Sequence, residues 1–205
     1  MAGIIGRKIG MTRLFTEDGS AVPVTVIEAG PCKVTAVRSE DRDGYTAVQL
    51  AFGETKEGKL SGGELGHLRK ADAPPMQTLV EFRDPDAEHE IGDEVTVDSF
   101  EPGQRVKLSG TAIGKGFAGT IRRHGFSRGP ATHGSRNVRA PGSIGASADP
   151  ARVFKGTRMP GRMGGKRMTQ RGLEVIEVDG EQNLLMVRGA VPGRKGSAVE
   201  VRSDV

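Results

Sequence analysis

Between Thr111 and Arg171 the chain places 13 lysines and arginines against one carboxylate, Asp149. A segment of that kind cannot neutralise its own charge, so the chemistry it offers is recognition of a polyanion. Cations that meet phosphates release condensed counterions, which makes such binding strong and steeply salt-dependent. Arginine outnumbers lysine ten to three here, and its planar fork suits bidentate phosphate contacts and stacking on bases. With about half of these charges on phosphates, log K should fall against log salt with a slope of about −4, at ~0.7 per single-strand contact.

Catalytic alternatives in the same stretch fail on spacing. Gly114 to Gly119 (G-K-G-F-A-G) fits the dinucleotide pattern, which needs a following helix and an acid about 20 residues on. No carboxylate follows until Asp149. The physical reading is that glycines such as Gly116 let the backbone approach phosphate while Lys115, Arg122 and Arg123 supply charge. Gly161 to Lys166 (G-R-M-G-G-K) has Pro160 where a phosphate loop needs its first glycine, and Arg167 where it needs Ser or Thr. His124 and His133 lie near Ser127 and Ser135, but only Asp149 is at hand to orient a triad. A metal site would want more clustered ligands, so both histidines are expected to stack on RNA, hydrogen-bond to it or sit among turns. Met159, Met163 and Met168 are spaced like a helical stripe, but intervening glycines make them packing residues of a loop. No cofactor and no small-molecule substrate are expected.

The elements that would carry this segment read as β structure. Ala21 to Glu28 alternates Val22, Val24 and Val26, and Lys33–Arg38, Tyr45–Phe52, Glu94–Phe100 and Arg105–Ile113 are similar runs. Asp18-Gly19 marks a hairpin between Leu14-Phe15 and the Val22 run. Leu173–Val178 and Leu184–Val187 flank a second hairpin turn at 179–182, and Val199–Val201 is expected as a last edge strand. Many short strands between Gly, Pro and Asp turns predict a mainly β fold, a barrel or sandwich. The body is assigned to residues 1–110 with 172–205. Residues 54–93 form a small α+β insertion, with a short helix at Glu64–Ala71 and a strand at Thr78–Phe82. Residues 111–171, with 12 glycines, follow neither period except for a helical turn or two at Phe117–Arg123. So long an irregular stretch is functional or disordered. Phe117, Phe126, Ile144, Val153, Phe154 and Met159 favour ordering on a polyanion. As a hairpin its limbs would each reach up to about 100 Å if fully extended.

Composition sets the remaining bounds. The net charge of +4 conceals an acidic remainder, because the other 144 residues carry 17 basic and 25 acidic side chains. With 35% apolar residues, 31 Gly and 11 Pro, the core is lean. No window reaches the ~18 apolar residues of a membrane span, and the opening Met-Ala-Gly-Ile-Ile-Gly-Arg-Lys is not expected to be a secretory signal. The lone cysteine, Cys32, rules out an intramolecular disulfide, is expected to pack in a strand, and suits a reducing cytoplasm.

Several motifs, in register from end to end, resemble the universal L-three family of large-subunit ribosomal proteins in its bacterial form. They are Gly3–Thr12, the signature Gly114–Arg123, Ala131–Ser135, Pro141–Gly145, Val153–Gly156 and Arg158-Met159. The resemblance implies a β-barrel body and a basic, Gly-rich extended loop that penetrates the large-subunit RNA toward the peptidyl transferase centre. It also implies an early role in assembly and contacts with neighbouring ribosomal proteins, on a cytoplasmic ribosome. Carried onto this chain, the loop tip falls near Gly142–Asp149, with Arg136, Arg139, Arg152, Lys155, Arg158 and Arg162 along the limbs. The RNA-binding set is then Lys115, Gly116, Arg122, Arg123, Arg128, His133, Arg136, Arg139, Gly142, Ser143, Arg152, Lys155, Arg158, Arg162, Lys166 and Arg167. Ala112 and Lys107 depart from the usual signature in minor ways. Ala146 stands where many bacterial members carry a glutamine that is methylated in some, so that modification has no acceptor here. A free-standing nucleic-acid-binding or assembly factor would share the charge logic.

Overall fold

The computed structural model describes residues 3–16, 18–83 and 89–204 of the chain. Residues 84–88, part of the expected insertion, and residues 1, 2, 17 and 205 of the expected body lie outside the described residues. The chain divides into two units, one from its beginning to Ala112 and again from Arg167 onward, the other Ile113–Lys166. In chain order the elements are β1 (Gly3–Phe15), β2 (Ala21–Ala29), β3 (Cys32–Arg38), α1 (Glu40–Asp43), β4 (Ala47–Glu54), α2 (Gly62–Lys70), β5 (Met76–Phe82), β6 (Glu94–Val95) and β7 (Arg105–Thr111). The second unit carries β8 (Phe117–Ala118), α3 (Thr120–His124) and β9 (Gly161–Arg162). The chain then completes the first unit with β10 (Arg167–Asp179), β11 (Leu184–Arg188) and β12 (Ala198–Ser203).

Six strands close an antiparallel barrel in the order β1-β12-β7-β10-β11-β2, with β2 returning to β1. Closure removes the unpaired backbone edges that an open sheet would expose. The barrel is filled by Ile4, Ile27, Val106, Leu108, Val175, Leu185, Val187 and Val201, all fully buried. Each such side chain contributes about 1.5–3 kcal/mol by leaving water. Ile5, whose partner in β12 is Glu200, is fully buried as well. Since successive strand residues face opposite ways, β1 is covered on both faces. The second cover is a four-stranded sheet, β5-β4-β3-β6, whose Val34, Leu50 and Phe82 join the same core. This sheet draws in Cys32–Arg38 and Ala47–Glu54 as well as β5 from the 54–93 stretch and β6 just after it. Helix α2 starts from a capping box between Ser61 and Glu64, which satisfies orphan backbone donors at its first turn. Its Leu68 packs with Ala51 and Met76 of the sheet.

Several expected strands change extent. β1 runs for 13 residues although it holds Gly3, Gly6 and Gly10. A Cβ on Gly3 would sit 2.4 Å from Phe82 Cδ1, and one on Gly6 2.6 Å from the Glu28 carbonyl oxygen. These glycines permit close approach rather than break the strand. Val199–Val201 is no edge. β12 pairs with β1 on one side and β7 on the other, and Val199, Val201 and Ser203 all face inward. Glu94–Phe100 is strand only to Val95, then turns as a 3-10 helix at Val97–Ser99. There Ser99 Oγ donates to the Thr96 carbonyl and Thr96 Oγ1 to Asp98, local bonds that compete with a ladder. Arg105–Ile113 ends as strand at Thr111, while β10 begins at Arg167, earlier than the expected Leu173. Its first residues pair with β7 from Arg167↔Thr111 onward, and Ser109 Oγ lies 2.8 Å from Thr169 Oγ1. The basic segment outside the barrel is therefore narrower than 111–171.

Substituting Gly6→Val should destabilise the body by about 1–3 kcal/mol, since overpacking against backbone has no side chain to yield; chemical denaturation measures it. Cys32 is fully buried and donates its Sγ–H to the Ile5 carbonyl at 3.3 Å. Burial pushes its thiol up from 9.0 to about 12. A raised folded value means the unfolded chain gives up its proton first, so this group lowers stability as pH rises from 9.0 toward about 12. Thiol alkylation at pH 8 should accordingly follow global unfolding. In Cys32→Ala the alkaline loss of stability should be smaller than in the unsubstituted chain.

Candidate nucleic-acid interface

The unit Ile113–Lys166 carries eleven lysines and arginines against Asp149, a net charge of +10, while the rest of the chain carries −6. Of its residues only Ala118 and Thr120 are buried, so no apolar core holds it together. What order it has comes from hydrogen bonds and glycine turns. The two limbs meet through β8 and β9, in register Phe117↔Arg162 and Ala118↔Gly161. Lys115 N–H donates to the Met163 carbonyl at 2.8 Å, and Met163 N–H to that of Gly116 at 2.9 Å. Gly164 is obligatory beside this pairing, because a Cβ there would meet the Ile113 carbonyl oxygen at 2.0 Å.

Helix α3 follows at once, ending on Gly125 in the left-handed region. Two of its side chains clamp the returning limb. Arg123 Nη1 donates to the Met159 carbonyl at 2.6 Å, and His124 Nε2 lies 3.0 Å from the same oxygen. Gly161 leaves room for the Arg123 guanidinium, 2.8 Å from where a Cβ would stand. Further out, Gly129 N–H donates to the Val138 carbonyl at 3.0 Å, closing a turn that contains His133 and Arg136. A Cβ on Gly129 would collide with the Asn137 carbonyl oxygen at 2.2 Å. Ser143 Oγ donates to the Gly145 carbonyl at 3.0 Å, and Gly145 approaches the Arg152 carbonyl. Thr157 Oγ1 donates to the Phe154 carbonyl at 2.7 Å, holding a turn around Lys155, and the Arg152 guanidinium lies 5.5 Å from the Phe154 ring centre.

Fifteen of the sixteen sequence-assigned residues fall in this unit. Lys115, Gly116, Arg122, Arg128, His133, Arg136, Arg139, Gly142, Ser143, Arg152, Lys155, Arg158, Arg162 and Lys166 are exposed, and Arg123 is half-buried. Among the described residues, none of the unit's cations lies within 4.0 Å of a carboxylate. Arg167 differs. It starts β10 of the barrel and pairs with Glu200 through both Nε and Nη2, so its charge is already compensated. His124 is a limb clamp rather than a free stacking group.

The charge pattern alone does not single out the exposed apolar side chains. Ile113, Phe117, Ile144, Val153 and Phe154 all stand out to solvent, Phe117 at 78%. The sequence signal for them was the presence of aromatic and aliphatic residues in an acid-free stretch. Rings and guanidinium planes interleaved in this way can stack on unpaired bases while arginines hold the backbone.

The glycine motifs build no nucleotide site. Gly114–Gly119 leads into a two-residue strand of an antiparallel pair and a five-residue helix, not a βαβ unit. Gly161–Lys166 lies on β9 and the turn after it, with strand β10 rather than a helix following. The three methionines lie on no helix. Among the described residues no group of three His, Cys, Asp or Glu could hold a metal ion, and no helix is long and apolar enough to cross a membrane.

Comparison with known proteins gives the same direction. The family model for ribosomal protein L3 matches residues 76–183. A protein of Prochlorococcus marinus (strain MIT 9515) named large ribosomal subunit protein uL3 is 52% identical over 203 residues, covering 98% of this chain and 94% of the relative. The protein of that name from Thermosynechococcus vestitus is 52% identical over 200 residues, covering 97% and 94%. That from Synechococcus sp. (strain CC9902) is 50% identical over 204 residues, covering 99% and 94%. Relatives half identical over almost the whole length, and a family model spanning the segment and its flanking strands, leave one assignment: the chain belongs to the ribosomal protein L3 family.

Proposed function

We propose that residues 113–166 bind large-subunit ribosomal RNA, support early assembly of the subunit, and organise RNA near the peptidyl transferase centre. The family is a structural constituent of the large ribosomal subunit and not an enzyme. The observation that carries the finer reading is the segment's composition and burial together. It holds eleven cations, one acid and two buried residues, and ordering each residue costs about 1–2 kcal/mol of backbone entropy. Its few turns and clamps cannot offset that for the whole segment, whereas a phosphate surface supplies both countercharge and contacts. Exposed rings and guanidinium groups along the segment suit splayed bases, and glycines allow the backbone to lie close to phosphates.

The partition of charge supports an orientation as well. The rest of the chain, at −6, is repelled by RNA as a whole and is suited to solvent and to neighbouring ribosomal proteins. The RNA performs peptidyl transfer; this chain positions it, with no cofactor.

Two outcomes are expected. Binding to protein-free large-subunit RNA should show a log–log salt slope of about −4, reduced by about 1.4 in the double variant R136Q/R139Q at ~0.7 per contact; filter binding across a salt series reads both. Deleting 139–158 should leave the melting of the body unchanged while subunit precursors accumulate on a sucrose gradient. Subunits that assemble and translate normally without 139–158 would remove the reading.

A further inference from the structure

The acidic body carries one feature that its own stability does not explain. Lys8 lies on β1 with 9% of its surface exposed. Its ammonium donates to the Val191 carbonyl at 2.7 Å and reaches that of Gly193 at 3.4 Å. Among the described residues no carboxylate lies within 4.0 Å of it. Burial holds its pKa below the usual lysine value, the mark of a charge kept at a desolvation cost. An apolar side chain would fill the same space more cheaply. What the ammonium fixes is the connection between β11 and β12, Gly189 to Ser197 (G-A-V-P-G-R-K-G-S).

That connection is held from every side. Gly196 N–H donates to the Lys8 carbonyl at 2.7 Å, and Lys8 N–H to the Ser197 carbonyl at 3.0 Å. Ser197 Oγ donates to the Arg194 carbonyl at 2.7 Å. Thr25 Oγ1 ties the other end, donating to the Gly189 carbonyl at 2.6 Å. Gly193 has φ +103, and a Cβ on it would meet Ser197 Oγ at 2.3 Å and the Thr111 carbonyl oxygen at 3.3 Å. Gly110 admits the Pro192 carbonyl at 3.1 Å from its own Cβ position. Two glycines thus bring the connection down onto the end of β7.

At the apex of this rigid turn stand Arg194 and Lys195, both exposed. Neither lies within 4.0 Å of a carboxylate among the described residues. The sequence from Gln182 to Val199 contains no acid at all, on a body that is otherwise acidic. Fixing the turn beforehand removes most of the ordering cost that two flexible cations would otherwise meet on binding.

We infer that the Arg194-Lys195 turn is a second, preorganised phosphate-backbone contact for RNA, separate from residues 113–166, with Lys8 as its positioning residue. The inference rests on the RNA-binding reading above. It requires charge rather than base recognition, since two point contacts on one turn carry no sequence code.

The test uses the full chain and protein-free large-subunit ribosomal RNA. R194Q/K195Q should lower the magnitude of the salt slope by about 1.4, two contacts at ~0.7 each, with melting unchanged because both side chains are exposed. R194K/K195R should keep the full slope. In the unsubstituted chain, acetylation of Lys195 by an N-hydroxysuccinimide ester should fall when RNA is added, while Lys70 on α2 stays reactive. An unchanged slope and unprotected Lys195, with R136Q/R139Q still weakened, would overturn the turn contact and leave the segment's role standing. If neither double variant changes binding, the RNA reading of both regions fails. Loss of binding in R194K/K195R would overturn the phosphate-only character of the contact.

Discussion

Charge balance within a stretch of chain decides most of what this protein is. Eleven cations and one carboxylate between Ile113 and Lys166 repel one another at separations that salt screens only beyond about 8–10 Å. With two buried residues there is no hydrophobic gain to set against that repulsion and the entropy of ordering. The hydrogen bonds that do form are placed where they cost least. They tie the limbs at β8 and β9, clamp them through Arg123 and His124, and close short turns on glycines. Countercharge has to come from outside, and under the proposed RNA-binding role a phosphate backbone would supply it at the density these arginines offer.

The body answers a different constraint. A segment that is not self-supporting needs ends that are fixed, and both ends belong to neighbouring strands of a closed barrel. Residue 112 follows β7 and Arg167 opens β10, and these strands pair with each other from Thr111↔Arg167 onward. The closed ladder leaves no free edge in the ring, and the second sheet covers the outer face of β1. Arg167 shows how the body spends its cations. It is held by Glu200 within the strand framework rather than offered to solvent. Lys8 shows the opposite economy, a buried ammonium used to shape a surface turn.

The fold was legible where local chemistry decides it. Asp18-Gly19 and the 179–182 turn announce hairpins, and the expected helix at Glu64–Ala71 appears as α2, Gly62–Lys70. The basic segment stood out from composition alone. Legibility failed where distant parts of the chain decide. Of β1 only Leu14-Phe15 was expected as strand, while its longer run depends on Gly3 and Gly6, whose missing side chains admit Phe82 and the Glu28 backbone. Val199–Val201 looks like an edge because nothing in six residues reveals that partners lie on both sides. The clamp from Arg123 to Met159 spans 36 residues, so no window shows that this arginine is partly structural. Arg167 carries the same charge as its neighbours, and only the strand register reveals its pairing with Glu200.

The most direct measurement is amide hydrogen exchange of the chain, free in solution and within the assembled large subunit, followed peptide by peptide. The free chain should show protected barrel strands while residues 125–158 exchange near their intrinsic rates, and the same residues should be strongly protected in the subunit. Strong protection of 125–158 in the free chain would contradict this, because the segment would then be ordered without RNA.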